Sequence, residues 1–308
     1  MSAQVNASDI LDGGRWVSDG GLETDLIFNR GVDLPEFASF PLVQDERGAE
    51  LLRSYYAEYS AIAEVCGEGL LVETPTWRAN ADWGRALGYD ADGLDRVNRE
   101  AVALARGVAD ASPAVRSLVS GVVGPRGDGY LAARSGVDEA ADYHAPQVRV
   151  LASEGVDLVH AMTMTAPDEA AGVVRAARMA GVPVAISFTV ETDGRLPDGH
   201  RLSEAIGILD GADPADWYGV NCAHPTHVAA SLDGRSWQDK VVFFRPNAST
   251  LSHDELDAAE DLDPGDTAFL VDSTDALRPQ LPALAVLGGC CGTDSSHVAA
   301  LWRSPSSG

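Results

Sequence analysis

The chain has 308 residues, 45% of them hydrophobic, enough to bury a sizeable core. Its 47 Asp and Glu against 22 Lys and Arg give a net charge of −25. So acidic a surface repels phosphate backbones and anionic headgroups, which excludes nucleic acid and membrane surfaces as partners. No apolar run follows a basic N-terminal segment, and no stretch reaches the ~20 apolar residues of a membrane span, so the expectation is a cytoplasmic protein. Four cysteines are too few for a disulfide scaffold. In a reducing compartment, clustered cysteines bind metal or do chemistry.

Short runs rich in Val, Ile, Leu and Phe predict strands over residues 16–19, 69–73, 117–122, 157–162, 183–189, 217–221, 240–245 and 284–287. Runs of this kind suit parallel strands buried on both faces. Helical periodicity falls between them, most clearly over residues 50–66, 93–109, 140–153, 168–180 and 294–302. Eight alternations in a chain of this length predict an α/β fold, the (β/α)8 TIM barrel. No Gly/Ser-rich or Pro-rich linker divides the chain, so residues 1–308 are expected to form one domain. Residues 252–266 read as a surface helix and loop, and 304–308 as a frayed tail. In such barrels the working groups follow the C-terminal ends of strands. That rule gathers Asp19, Glu73 to Thr76, Gly124-Pro125, Met162-Thr163, Asn221-Cys222 and the 288–292 turn at one mouth.

The strongest motif is Gly288-Gly289-Cys290-Cys291-Gly292-Thr293. Neighbouring side chains diverge, so two adjacent cysteines reach one ion only where the backbone turns sharply, and flanking glycine permits that turn. Cys222 ends the sixth predicted strand, and barrel closure puts the ends of strands six and eight on the same rim. Three thiolates with one open position describe a catalytic Zn2+ site. A vicinal redox disulfide, or three merely buried small residues, are the alternatives. Cys66 reads as an ordinary small core residue.

These residues resemble the homocysteine S-methyltransferase family. The likeness covers nearly the whole chain, from Asp19-Gly20-Gly21-Leu22-Glu23-Thr24 through Thr74-Pro75-Thr76-Trp77 and Gly124-Pro125 to Gly219-Val220-Asn221-Cys222 and residues 288–293. It implies a single barrel whose zinc is held by Cys222, Cys290 and Cys291. It also implies methyl transfer from a sulfonium donor, S-methylmethionine or S-adenosylmethionine, to the thiol of homocysteine, giving methionine. The partners implied are a small-molecule thiol acceptor and a methyl donor, in a monomer or small homo-oligomer. Asp19 is the position whose family counterpart helps bind the acceptor, and Gly20 and Gly21 let backbone approach a ligand. Glu73, Thr76, Trp77, Met162, Thr163 and Asn221 complete the expected substrate contacts.

One position departs from the family. Met162 stands where the family carries the Glu that contacts the acceptor's ammonium. Asp19 then carries that contact alone, or Glu73 substitutes, or the acceptor is another thiol or a selenol, or the donor another onium compound. Arg78, beside Trp77, would repel a quaternary ammonium donor unless it points away, and Trp77, Phe37 and Phe40 are candidate cation–π partners for a sulfonium. His224 reads as a loop residue near the metal and His160 as a packed strand residue. A non-catalytic thiol-binding or redox-sensing protein is the remaining reading.

Overall fold

A computed structural model describes residue 11 and residues 14–112, 115–132, 135–259 and 261–303. Eight parallel strands pair in sequence order and close: β1 (Trp16–Val17), β2 (Gly69–Glu73), β3 (Ser117–Val123), β4 (Leu158–Met164), β5 (Val184–Phe188), β6 (Trp217–Asn221), β7 (Val241–Arg245) and β8 (Val286–Leu287). Closure runs through the register Trp16 to Val286 and Val17 to Leu287. The predicted (β/α)8 barrel is what forms. Its first and last strands, Trp16–Val17 and Val286–Leu287, are shorter than expected, although Ser18 still donates its amide to the Leu287 carbonyl at 3.1 Å. The 304–308 tail lies outside the described residues.

The helices α1 (Glu46–Cys66), α2 (Ala81–Ala86), α3 (Ala91–Ala111), α4 (Val137–Ser153), α5 (Pro167–Ala180), α6 (Leu202–Ala212), α7 (Pro225–Ser231), α8 (His253–Asp257), α9 (Thr267–Leu277) and α10 (Ser295–Arg303) follow the strands they cover. Their ends are marked in the sequence. Asp45 caps α1 by accepting from the Gly48 amide at 2.9 Å, and Gly67 ends it in the left-handed region at φ 69°. Asp90 caps α3 in the same way. Among the described residues no helix is long and apolar enough to cross a membrane.

Strand side chains alternate with period two, which sorts the barrel into layers. Outward residues such as Leu70, Val72, Val159, Ile186 and Val220 meet the helices in one large core. The other set fills the barrel's own interior. Its floor is an apolar plug of Trp16, Leu71, Leu158, Ala185, Trp217, Phe243 and Val286. Two residues further along the same strands, the layer turns polar: Ser18, Glu73, His160 and Ser187 are all buried and bonded to one another. One step higher come Met162, Asn221 and Arg245, at the mouth.

Candidate active site

The mouth opens into a cavity of about 340 Å3 lined by Asp19, Glu73, Met162, Arg245 and the three cysteines among others. Cys222, Cys290 and Cys291 bring their Sγ atoms within 4.8 Å of one another, and none is in a disulfide. Strands six and eight thus deliver the sulfurs from 68 residues apart, as the spacing predicted. Sulfurs sharing one tetrahedral zinc at ~2.3 Å stand about 3.8 Å apart, so the set fits a soft metal ion with one corner open.

The backbone is held in an unfavourable shape to achieve this. Cys222 sits at φ 55°, a left-handed conformation that costs a non-glycine residue free energy. Thr163, β-branched and hence a clearer outlier, sits at φ 60°. Asn221 ties the two together. Its Oδ1 accepts from the Thr163 amide at 2.7 Å, and its Nδ2 donates to Thr163 Oγ1 at 2.8 Å. The same Nδ2 lies 3.7 Å from Cys290 Sγ, and Asn247 Nδ2 lies 3.8 Å from Cys222 Sγ.

The glycines pack against the 288–293 turn. A side chain on Gly21 would strike the Cys290 carbonyl, and one on Gly289 would strike Thr293 Oγ1, which itself donates to the Cys290 carbonyl at 2.7 Å. Gly20 and Gly21 do line the cavity. Their missing side chains nonetheless serve the cysteine turn, a role the sequence reading gave to ligand approach.

Electrostatics set the thiols apart. Hydrogen bonds from Cys290 and Cys291 hold the Cys222 thiol well below the ordinary cysteine range. Donating to Cys222 pushes the Cys290 thiol up to about 12 and raises Cys291 also. Cys222 is thus the thiol of the three that most readily gives up its proton, and a divalent cation entering the cluster displaces protons from its ligands.

Arg245, the last residue of β7, is one cavity residue that the sequence reading missed. The residue is 6% exposed. Nη2 lies 2.7 Å from Asp19 Oδ1, Nη1 pairs with Glu73 Oε2, and Nε donates to the Gly289 carbonyl at 2.8 Å. Glu73 Oε1 meets His160 Nδ1 at 2.7 Å, and Asp19 Oδ2 accepts from Tyr55 at 3.2 Å. A charged residue closing an otherwise apolar barrel strand was the available signal. Tyr130, from the loop after β3, places its hydroxyl 3.3 Å from Cys222 Sγ, and nothing in its local sequence marks it. Residues of the 252–266 segment, expected as plain surface, line the cavity from outside, Leu256 and Leu262 among them.

Of the expected substrate contacts, Asp19, Gly20, Gly21, Glu73, Trp77, Met162, Thr163 and Asn221 line the cavity. Thr76 does not. It is fully buried, donating to the Val122 carbonyl at 2.6 Å and paired with Thr74. Phe40 is also withdrawn, packed edge-on against Tyr89 at 5.1 Å. Phe37 and Trp77 remain in the wall, but Arg78 already lies over both, at 5.6 and 5.2 Å, and over Trp83 at 3.9 Å. His160 is packed inside the barrel, as expected. His224 accepts from the Thr226 amide at 3.3 Å as the cap of α7 and stands outside the cysteine group.

Comparison with known proteins agrees with this arrangement. The family model described as Homocysteine S-methyltransferase matches residues 16–304. A homocysteine S-methyltransferase of Escherichia coli (strain K12) is 28% identical over 98% of this chain and 97% of its own length. Homocysteine S-methyltransferase 3 of Zea mays is 24% identical over 96% of this chain and 91% of its own. The crystal structure of the homocysteine methyltransferase MmuM from Escherichia coli superposes in its oxidized form with a TM-score of 0.74, at 24% identity, covering 96% of this chain and 98% of that one. Its metallated form superposes with a TM-score of 0.73, at 22% identity, covering 96% and 99%. A family match over nearly the whole chain and a shared fold, on a mouth where three thiols converge, establish that this chain belongs to the homocysteine S-methyltransferase family.

Proposed function

We propose that this chain transfers a methyl group from a sulfonium donor, S-methylmethionine or S-adenosylmethionine, to the thiol of homocysteine, giving methionine, with zinc held by Cys222, Cys290 and Cys291. The observation that carries the reading is the convergence of three free thiols within 4.8 Å in the lining of one cavity. Zinc bound there would supply the positive charge that strips the proton from an acceptor thiol at neutral pH.

The chain's own residues do the rest. Asn221, Asn247 and Tyr130 point N–H and O–H groups at the ligating sulfurs and fix their orientation. Cys222 is buried, and Cys290 and Cys291 are half-buried on the cavity, open to an incoming acceptor. The leaving group is a neutral thioether, so no general acid is required, and catalysis rests on holding donor and acceptor in line. Three reduced thiols suit a cytoplasmic setting.

The test is an anaerobic assay of the zinc-loaded protein with homocysteine labelled in its carbon skeleton and each sulfonium donor unlabelled. Labelled methionine supports the reading, and its absence with every donor overturns it. A second reading keeps the chemistry and changes the acceptor to another thiol or a selenol. Met162 and the Arg245 pairings favour it, and turnover of other thiols without homocysteine would establish it.

A further inference from the structure

The carboxylates at the cavity floor are already engaged. Asp19 gives Oδ1 to Arg245 at 2.7 Å and Oδ2 to Tyr55 at 3.2 Å. Glu73 gives Oε1 to His160 at 2.7 Å, and Oε2 to Arg245 and to Ser18 at 3.2 Å. Met162 offers an ammonium nothing, and its Sδ lies 3.9 Å from Arg245 Nη1. An incoming ammonium would have to displace a guanidinium bonded on every nitrogen, with two of those bonds made to the Gly20 and Gly289 carbonyls at 2.8 Å.

Glu23 is different. It lines the same cavity, on the helical turn Leu22–Thr24 that follows Gly21. Gly21 lies against the carbonyl of Cys290, so the turn abuts the cysteine cluster. Glu23 Oε1 accepts from Ser39 at 2.6 Å. No hydrogen bond or ion pair reaches its Oε2 among the described residues, although the Arg78 guanidinium in the same wall feels its charge. The other acidic residues of the lining are placed differently. Asp257 and Asp261 are exposed on the outer wall, and Asp263 is bonded to Ser249 and the Gly265 amide. Asp128 accepts from the Tyr130 amide at 2.7 Å on the loop above the cluster.

We propose that Glu23 receives the α-ammonium of the acceptor and so sets the preference for an amino-acid thiol, in place of Asp19 and Glu73. The inference rests on the acceptor being homocysteine. A carboxylate oxygen left without a donor is matched by an ammonium, which brings three N–H groups. A sulfonium brings none and is served by aromatic faces. Burial, with added repulsion from Asp19 and Cys290, holds the Glu23 carboxyl above the ordinary range, and a bound cation relieves that.

The experiment compares homocysteine with its deamino analogue, 4-mercaptobutyrate, in wild type, Glu23→Gln and Glu23→Asp. Zinc content and circular dichroism certify each protein. Binding to the zinc-loaded protein is followed by calorimetry beside kcat/KM, so the comparison does not depend on turnover. In Glu23→Gln the preference for homocysteine over 4-mercaptobutyrate is expected to fall about tenfold or more, the scale of one charged hydrogen bond. Glu23→Asp is expected to recover part of it. An unchanged preference in Glu23→Gln overturns the proposal, as does an equal loss for both thiols. Wild type that neither binds nor methylates homocysteine overturns this proposal and the reading beneath it. Wild type that methylates homocysteine with a Glu23→Gln preference unchanged overturns this proposal alone.

Discussion

Tyr130 and Cys222 meet at the mouth, hydroxyl to sulfur at 3.3 Å, although 92 residues separate them. The tyrosine ring is stacked on His253 with centroids 4.0 Å apart, and His253 Nε2 lies 2.9 Å from the Cys222 carbonyl. One residue is therefore gripped at both ends, sulfur and backbone, by a single stacked pair. This is the support that a strained Cys222, at φ 55°, requires.

Tyr130→Phe keeps the stacking and removes the hydroxyl. Partners one step removed from a metal commonly contribute 10-fold to 100-fold in affinity. We expect zinc to bind about 10-fold more weakly in the variant, read by competition with a chromophoric chelator. An unchanged affinity would show that the hydroxyl does not support the sulfur.

Replacing Cys222, Cys290 or Cys291 by Ala should remove zinc and methyl transfer together in each single variant. Cys66, half-buried at the end of α1, serves as the contrast, and Cys66→Ala should keep both. Metal analysis beside the activity assay checks this, and full turnover in any of the three would contradict the ligand assignment.

Gly289→Ala should push Thr293 off the Cys290 carbonyl it bonds at 2.7 Å. Overpacking of this kind costs about 1–3 kcal/mol. Denaturant unfolding should register that loss, and zinc content should fall with it because the turn carries two of the three sulfurs.

Arg245→Ala leaves Asp19 and Glu73 buried without their shared cation. Removing one partner of a buried ion pair costs about 3–5 kcal/mol, and we expect a loss of that size in denaturant unfolding. Arg245→Lys should recover only part, since one ammonium cannot reach both carboxylates and the Gly289 carbonyl in the fork geometry of a guanidinium.

His160 gives stability a pH dependence. Burial pushes its imidazole down to about 3, and it sits between Glu73, whose charge Arg245 already offsets, and Ser187. The unfolded chain takes up a proton near pH ~6.5 and the folded chain does not. Stability from this site is therefore complete above pH ~6.5 and declines as pH falls toward 3, at up to about 1.4 kcal/mol per unit. Unfolding midpoints of wild type and His160→Gln between pH 7 and pH 4 should converge on acidification; parallel curves would contradict this.

The barrel was readable from the sequence because strands buried on both faces become continuous apolar runs, as in Val184–Phe188 and Val241–Arg245. The cysteine cluster was readable because thiols between glycines have few structural uses. The Asp19–Arg245–Glu73 network was not. Which of the side chains from β1, β2 and β7 share a level inside the barrel depends on strand stagger, which is a property of closure and not of any one strand. Thr76 and Phe40 misled for a related reason. Each neighbours a cavity residue in sequence, yet Thr76 turns to Val122 and Phe40 to Tyr89.

The most direct test of a catalytic zinc at this mouth is X-ray absorption at the zinc edge on anaerobically purified protein, before and after homocysteine is added. The account predicts one zinc per chain with three sulfur neighbours at ~2.3 Å, rising to four when the acceptor is present. A protein without stoichiometric zinc, or a sulfur count that homocysteine does not change, would contradict it.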